Sequence, residues 1–300
     1  MGYLILSVFI VCSLYVQVRG RVKHSRWTLF LSDHSNLLSP INCLFYAFSS
    51  IKNTPYVDTD NFQQLQLLED NWQTIRDEAL ALNNQEHIKS ADKLDDIGFN
   101  SFFKTGWKRF YLSWYGQPIQ SAETLCPSTT ALLKQIPDVK GAMFAMLPPG
   151  ASLVKHRDPY AGAYRYHLGL QTPNSEDCFI EVDGERYFWK DGESVMFDET
   201  YIHYAQNNTS TNRIVLFLDI RRPVNFFLVD WVNTLFSKGV MASSAAKNID
   251  DDKVGMLNRV FPYLYQIRKI GKRVKAFNKH VYYGIQVAGV AYIMYALCFS

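Results

Sequence analysis

The sequence predicts a mainly β core flanked by α-helices, with a transmembrane helix at each end of the chain. Six short runs rich in β-forming residues follow one another between about residue 140 and residue 220, and short strands joined by tight turns are typical of a sandwich or a jelly roll. Asp-Gly steps at 183–184 and 191–192 separate three of these runs, which predicts hairpins. The runs are Ala142–Leu147, Tyr164–Leu170, Phe179–Val182, Arg186–Trp189, Ser194–Phe197 and Ile214–Ile220.

The two ends of the chain are uncharged and apolar. Met1–Val18 and Val281–Ser300 each approach the roughly 20 residues that a helix needs to cross a bilayer. Basic clusters follow the first stretch and precede the second, which by the positive-inside rule places both clusters and the body between them in the cytoplasm. Alternatively, each cluster is only a stop-transfer flank. The clusters are Arg19, Arg21, Lys23 and Arg26, and Arg268, Lys269, Lys272, Arg273, Lys275 and Lys279.

The distribution of charge along the chain indicates which kind of partner it binds. The chain has 31 Lys and Arg against 28 Asp and Glu. Without the ten terminal cations the rest is acidic, so the basicity predicts contact with anionic lipid headgroups of a membrane and not with nucleic acid. The five cysteines are scattered without a Cys-x-x-Cys pair, which predicts neither a zinc site nor a disulfide framework and fits a reducing compartment.

The region before the strands is predicted to be helical and aromatic. Apolar residues recur at steps of three and four between Phe62 and Leu82, which predicts an amphipathic helix with Asp60 or Asn61 as N-cap. Residues 98–116 are dense in aromatic side chains with interleaved Lys and Arg. This segment is either a buried strand pair or a wall that receives an apolar chain while its cations contact phosphate or sugar groups.

Helical periodicity returns after Pro223, where Phe227, Trp231 and Leu235 share one face. That helix lies either on a membrane or against the β core. The predicted organisation is an N-terminal membrane anchor over 1–18, a helical and aromatic flanking region over 19–139, the jelly-roll core over 140–223, a C-terminal helical region over 224–280 and a C-terminal anchor over 281–300.

A His-x-Asp pair is the strongest chemical signal. His156 and Asp158 are two residues apart, so in an extended segment both side chains point to the same side, and the proline after Asp158 favours extended backbone there. His203 follows shortly after a predicted strand and is a candidate third ligand. Two histidines and one carboxylate leave three coordination positions open, which is the usual setting of non-haem Fe(II).

Three further polar residues are predicted to face the interior. Strand periodicity puts Arg165 and His167 on one face of their strand, and buried polar groups require partners. Arg213 begins the last strand, where a guanidinium can hold a carboxylate by paired hydrogen bonds; alternatively it bridges a structural carboxylate. Asp198 and Glu199 resemble an acid/base pair but are predicted to cap the turn before His203.

At these residues the chain resembles the aspartyl/asparaginyl β-hydroxylase family of dioxygenases, and within it the bacterial lipid A 2-hydroxylases. The family resemblance covers roughly residues 140–223, and the closer one covers nearly the whole chain. The segments that carry it are DNWQTIRDEALAL (70–82), GFNSFFKTGWKRFYLSWYG (98–116), GAMFAMLPPG (141–150), HRDPYAGAYRYHLGL (156–170) and FDETYIH (197–203).

The resemblance implies a double-stranded β-helix (jelly roll, cupin-like) that uses Fe(II), 2-oxoglutarate and O₂. It implies that His156, Asp158 and His203 are the catalytic iron ligands. It also implies that Arg213 holds the distal carboxylate of 2-oxoglutarate and that Arg165 and His167 line the co-substrate site. Two departures stand out: the animal β-hydroxylases lack the carboxylate ligand, and they have a serine where this chain has Ala145.

The implied reaction is hydroxylation at C2 of a secondary acyl chain of lipid A, at the cytoplasmic face of the inner membrane. Two alternatives remain open from the sequence. One is hydroxylation of Asp or Asn in a protein. The other is a jelly-roll module that binds a lipid or a metal without turnover.

Overall fold

A computed structural model describes residues 2–24, 33–91, 94–285, 288–289 and 292. Helices precede, flank and follow a β core. They are α1 (Gly2–Val18), α2 (Ser39–Ala47), α3 (Gln66–Asp70), α4 (Trp72–Asn84), α5 (Asn100–Phe103), α6 (Gln120–Leu125), α7 (Pro127–Lys134), α8 (Phe227–Phe236) and α9 (Met256–Phe277). Short 3₁₀ turns span His34–Leu38 and Thr59–Leu65, and a π turn spans Ser237–Met241.

The β core consists of two antiparallel sheets. The larger has the strand order β1-β9-β6-β11-β4-β2-β3 and the smaller β5-β10-β7-β8, a mainly antiparallel jelly-roll arrangement. The strands are β1 (Tyr56–Val57), β2 (Lys108–Trp114), β3 (Gln117–Pro118), β4 (Val139–Leu147), β5 (Ser152–His156), β6 (Ala163–Gln171), β7 (Cys178–Val182), β8 (Glu185–Phe188), β9 (Ser194–Phe197), β10 (His203–Asn207) and β11 (Arg213–Arg221).

The larger sheet is centred on β11, which pairs with both β4 and β6. These three nine-residue strands are buried along nearly their whole length. Both of their faces are covered, so each side chain that points inward must pack or find a polar partner. One face of β6 and β11 lines a cavity that the smaller sheet closes with residues of β5, β7 and β10.

The six predicted runs all form strands, with ends that match or shift by up to three residues. The structure corrects the predicted extent of the core, because β1, β2 and β3 join the larger sheet from outside residues 140–223. No pattern in the sequence predicts β5 and β10. β5 has no buried position, and β10 alternates buried and partly buried ones. Both contain charged or amide side chains, so neither shows an apolar run.

Only one of the two Asp-Gly steps makes a hairpin. Asp183 and Gly184 both have positive φ, 51° and 90°, as a two-residue hairpin turn requires, and they join the paired strands β7 and β8. The second predicted hairpin is wrong. At 191–192 the chain passes from β8 in the smaller sheet to β9 in the larger one.

The predicted helix between Phe62 and Leu82 is interrupted. A 3₁₀ turn and α3 precede α4, and Asn71 separates the two helices. Asp58, and not Asp60 or Asn61, caps the first turn by accepting a hydrogen bond from the Asp60 amide at 3.0 Å. The amphipathic pattern itself is confirmed, because the apolar positions of α3 and α4 are buried.

The aromatic segment 98–116 divides into helix α5 and strand β2, so it is not a strand pair along its whole length. Helix α8 packs through Val229 and Asn233. The face that carries Phe227, Trp231 and Leu235 is exposed, so that face does not cover the β core.

The terminal anchors are not supported as membrane-spanning helices. α1 has 17 residues, about 25 Å of helix against a hydrocarbon core of about 30 Å, and Ser13, Val16 and Gln17 near its end are buried against the domain. Within the described residues, no helix is both long and apolar enough to span a bilayer. Most of the predicted anchor over 281–300 lies outside the described residues.

Asp198 joins α1 to the β core. Its carboxylate lies 2.8 Å from the Arg19 guanidinium and 2.7 Å from that of Arg222, and it accepts the Thr200 amide at 3.0 Å. Asp198 therefore caps the turn before His203 as predicted. Burial alone raises its pKa, but the charges of Arg222 and Arg19 outweigh this and hold the pKa well below its usual value.

Replacing Asp198 with asparagine should lower the free energy of unfolding by about 3–5 kcal/mol at neutral pH, because two buried cations lose their counter-charge. Since the folded-state pKa is depressed, this stabilisation is present above the unfolded-state pKa and is lost as the pH falls toward the folded-state value. Chemical denaturation at neutral and at acidic pH measures both effects. A variant with wild-type stability and the same acid dependence would contradict this assignment.

Candidate metal centre

Three side chains meet at one end of the smaller sheet. The ligand atoms of His156, Asp158 and His203 all lie within 4.8 Å of one another. His156 ends β5 and His203 begins β10, and the two are cross-strand partners in the same register. The amide of Asp158 donates to the carbonyl of Glu199 at 2.9 Å, which holds the loop after β5 against the loop before β10. The predicted trio is thus brought together by strand pairing.

Both imidazoles are oriented by backbone carbonyls. Nδ1 of His156 donates to the Val154 carbonyl at 2.7 Å, and Nδ1 of His203 donates to the Tyr201 carbonyl at 3.0 Å. Each Nε2 is then left with its lone pair facing the site, as in protein metal centres whose histidines are fixed by outer hydrogen bonds. Burial and the nearby His156 lower the pKa of His203 to about 3, so His203 is neutral at pH 7.

The donor set fits a divalent transition metal. Two imidazole nitrogens and one carboxylate on one face of a site leave the remaining positions for small molecules. Burial raises the pKa of Asp158, but His156 and Arg165 outweigh this, and the pKa lies below its usual value. The carboxylate is therefore ionised, as a ligand must be.

Arg165 lies in the cavity wall, but its guanidinium is surrounded by carboxylates. It is 3.3 Å from Asp158 and 2.9 Å from Asp219, and it also contacts Glu199. Asp219 in turn accepts a hydrogen bond from Tyr115 at 2.9 Å. In this geometry Arg165 orients the Asp158 carboxylate. Its contact with the co-substrate stays a prediction.

Glu199 does not cap a turn, which corrects the sequence prediction. It is buried beside the candidate ligand Asp158. Burial, together with the charges of Asp158 and Asp219, raises its pKa well above the usual value despite the opposing effect of Arg165. The Glu199 side chain forms a hydrogen bond with that of Asp158, which helps to lower the pKa of Asp158. Sequence reasoning had no signal for this role, because it depends on a contact across two loops.

Arg157 lies between the candidate ligands His156 and Asp158 in sequence, but its side chain points away from the site. It is buried, and Nη1 donates to the carbonyl of Val16 in the last turn of α1 at 2.6 Å. Nε lies 3.2 Å from Asp33. The loop that carries His156 and Asp158 is therefore fastened to the carboxyl end of α1.

Arg213 is a buried cation without a counter-charge. It is fully buried on β11, and among the described residues no carboxylate pairs with it. Its guanidinium lies over the ring of Trp189, 4.3 Å from the centroid, and its Nε has no hydrogen-bond partner. Burial lowers its pKa to about 10, which still leaves it charged. An unpaired buried guanidinium is costly unless an anionic ligand meets it.

His167 is the second unsatisfied polar side chain of the cavity. Both of its ring nitrogens are buried without a hydrogen-bond partner in the described part of the chain, and its ring packs on Phe197 and Phe217 at 5.2 Å. Burial and the nearby Arg213 lower its pKa well below the usual value. His167 and Arg213 thus offer a neutral ring and a cation to the same cavity.

The cavity has an ionic end and an aromatic end. Its accessible volume is about 30 Å³, and its walls include the candidate ligands, Arg213 and His167. Phe99, Phe102 and Trp107 form the aromatic side, and the Phe102 ring lies 4.8 Å from that of His156. An apolar group placed against these rings lies next to the candidate metal position.

The fold and the site define a jelly-roll protein with a candidate two-histidine, one-carboxylate metal centre. The chain belongs to the aspartyl/asparaginyl β-hydroxylase family, whose model matches residues 69–223, just over half of the chain.

This chain spans only part of the length of the curated relatives that it matches. An ornithine lipid ester-linked acyl 2-hydroxylase of Rhizobium tropici is 34% identical over 59% of this chain and 64% of the relative. The human aspartyl/asparaginyl β-hydroxylase is 27% identical over 59% of this chain and 24% of the relative. Among solved structures, a Pseudomonas putida prolyl-4-hydroxylase gives a TM-score of 0.34 at 17% identity, over 52% of this chain and 88% of that one.

Proposed function

We propose that the protein is an Fe(II)- and 2-oxoglutarate-dependent dioxygenase that hydroxylates C2 of an acyl chain of a membrane lipid. The observation that carries this proposal is the candidate triad lying in one cavity with the unpaired, buried Arg213. Fe(II) with 2-oxoglutarate and O₂ supplies the oxidising power needed for an unactivated C–H bond. The protein's own residues bind the metal and the co-substrate, orient the reactants and exclude water.

The co-substrate requires a fixed anionic contact. Arg213 offers charged donors at the buried end of the cavity, where 2-oxoglutarate would place the carboxylate remote from the metal, and His167 has ring nitrogens free to accept or donate. Arg165 and Glu199 keep the Asp158 carboxylate ionised, and Asp219 holds Arg165 in place. Preorganised groups of this kind lose little freedom on binding, which favours positioning of the reactants.

The aromatic end of the cavity favours an apolar substrate. Phe99, Phe102 and Trp107 form a wall next to the candidate metal ligands, and the exposed Lys104 follows α5, where a phosphate or sugar group of a lipid would lie. The acyl 2-hydroxylase relative supports an acyl chain as the group that is oxidised. We propose a secondary acyl chain of lipid A at the cytoplasmic face of the inner membrane.

Hydroxylation of Asp or Asn in a protein is the second candidate function. The family match and the human relative favour it. The apolar cavity wall and the exposed apolar faces of α1 and α8 favour a lipid substrate instead, because soluble proteins rarely expose large apolar patches without a partner.

Mass spectrometry of lipid A from cells that express the wild type or His203→Ala tests the proposal. We expect a lipid A species heavier by one oxygen atom only with the wild type, with the added oxygen at C2 of an acyl chain. Succinate formation without any modified lipid would favour the protein substrate. A folded wild-type chain that releases no succinate with Fe(II) and 2-oxoglutarate would favour a binding module without turnover.

A further inference from the structure

Helix α9 is amphipathic and almost free of contacts with the rest of the protein. Val260, Tyr263, Leu264, Ile267 and Ile270 follow the spacing of one helical face, and each is 40–73% exposed. In this 22-residue helix only Asn258 is buried. The apolar stripe therefore has no partner within the described part of the chain.

The other face of α9 is strongly basic. Arg268, Lys269, Lys272, Arg273 and Lys275 lie in its second half, and no Asp or Glu occurs between Lys253 and the end of the sequence. None of these five cations forms an ion pair with a carboxylate of the described residues. Like charges four residues apart, as at 268 and 272 or 269 and 273, destabilise a helix, so an external anion would stabilise this one.

The N-terminal basic cluster differs from the C-terminal one. Arg19 is buried against Asp198, and Arg21 pairs with Glu185. Both are therefore paired with carboxylates of the protein, while the exposed Lys23 donates to the carbonyls of Val18 and Gly20, and Arg26 lies outside the described residues. The five cations of α9 pair with no carboxylate of the described residues, so we assign the outside partner to that cluster.

Asn258 fixes the first turn of α9 beside the candidate metal cavity. Its side chain accepts the Ile97 amide at 2.7 Å and donates to the carbonyls of Ser244 and Ala245 at 2.7 and 2.9 Å. Two residues after Ile97, the Phe99 ring lines the cavity. The first turn of α9 is thereby fixed to the segment that carries the aromatic wall.

We infer that α9 lies in the plane of an anionic lipid surface, with its apolar stripe at the boundary of the acyl chains and its cations at the lipid phosphates. A basic amphipathic helix of low overall hydrophobicity is typical of this mode of binding, and each Lys or Arg near an anionic surface contributes about 1 kcal/mol. Lipid binding by α9 is independent of the proposed function. The further step, that the bilayer delivers the substrate to the metal site, rests on the proposed function.

The test uses the full chain, diluted from detergent into suspensions of sucrose-loaded vesicles and sedimented. Vesicles of phosphatidylcholine are compared with vesicles that also contain phosphatidylglycerol, at low and high salt. We expect tighter, salt-sensitive binding to the anionic vesicles. The variant Arg268→Glu/Lys272→Glu/Arg273→Glu should lose this preference, by at least about fivefold for each cation removed.

The matched control is Lys52→Glu/Lys134→Glu/Lys190→Glu, which reverses three exposed cations on other parts of the fold. It should keep the preference for anionic vesicles. An equal loss in the control, or no preference in the wild type, would overturn the inference. So would tighter binding of the wild type to duplex DNA than to anionic vesicles at the same salt, since the partner would then be a nucleic acid.

A second variant, Ile267→Asp, tests the apolar stripe while all the cations of α9 remain. We expect weaker binding to anionic vesicles, and unchanged binding would contradict insertion of the stripe. Succinate release in detergent separates the two proposals. A wild type that prefers anionic vesicles but releases no succinate would refute the proposed function and leave the role of α9 standing.

Discussion

Replacement of Asp158 by alanine is expected to abolish turnover. The change removes the only carboxylate among the three candidate ligands and leaves Arg165 beside Glu199 and Asp219 without its third partner. Loss of an outer contact to a metal ligand already costs about 10–100-fold in affinity or activity, and loss of the ligand itself should exceed that. Anaerobic titration with Co(II), followed by its absorption spectrum, and a succinate assay measure the two effects.

Asp177→Ala is the matched control, because Asp177 is an exposed carboxylate of the same β core. It should bind Co(II) and release succinate as the wild type does. The assignment of the triad fails if Asp158→Ala retains wild-type Co(II) affinity, or if both variants lose it to the same extent.

Replacement of Arg213 by methionine should have opposite effects on co-substrate binding and on stability. Removal of one member of a buried charge pair costs about 2–5 kcal/mol, so the KM for 2-oxoglutarate should rise by about a hundredfold. In the absence of 2-oxoglutarate, Arg213 is a buried cation that no carboxylate of the described residues neutralises. An apolar side chain of similar length should therefore leave the free energy of unfolding unchanged or raise it.

Arg222→Met provides the contrast, since Arg222 is equally buried but is paired with Asp198 at 2.7 Å. It should lower the free energy of unfolding by about 3–5 kcal/mol. Thermal denaturation and the dependence of succinate release on 2-oxoglutarate measure both variants. A destabilised Arg213→Met with an unchanged KM would show that Arg213 serves the fold and not the co-substrate.

The sequence predicted the central strands because their environment leaves a local trace. β4, β6 and β11 are covered on both faces, so they read as continuous apolar runs with a few polar residues. The exceptions, Arg165, His167 and Arg213, were therefore visible as candidates. The His156 and Asp158 pair was visible for a similar reason, since a spacing of two has a definite meaning in extended backbone.

The rest of the site depends on contacts between distant segments, which a single sequence does not record. β5 and β10 are short, and their pairing places His156 opposite His203 across 46 intervening positions of sequence. Glu199 and Asp219 come from distant segments, and both contact the Arg165 guanidinium beside the candidate metal ligands. The same limit applies to Trp189, whose contact with the Arg213 guanidinium leaves no trace in the sequence.

The hydrogen bond from Arg157 to the Val16 carbonyl bears on how the protein is engineered. Removing the first 24 residues to gain solubility would take away this acceptor, and also Arg19, the partner of Asp198. Such a shortened form would lack the apolar helix, and the loop that carries His156 and Asp158 would be held less firmly. Its inactivity would therefore say nothing about a need for lipid unless its metal affinity were intact. Substitutions on the exposed face of α1, such as Leu4 and Val11, alter the apolar surface and spare the loop.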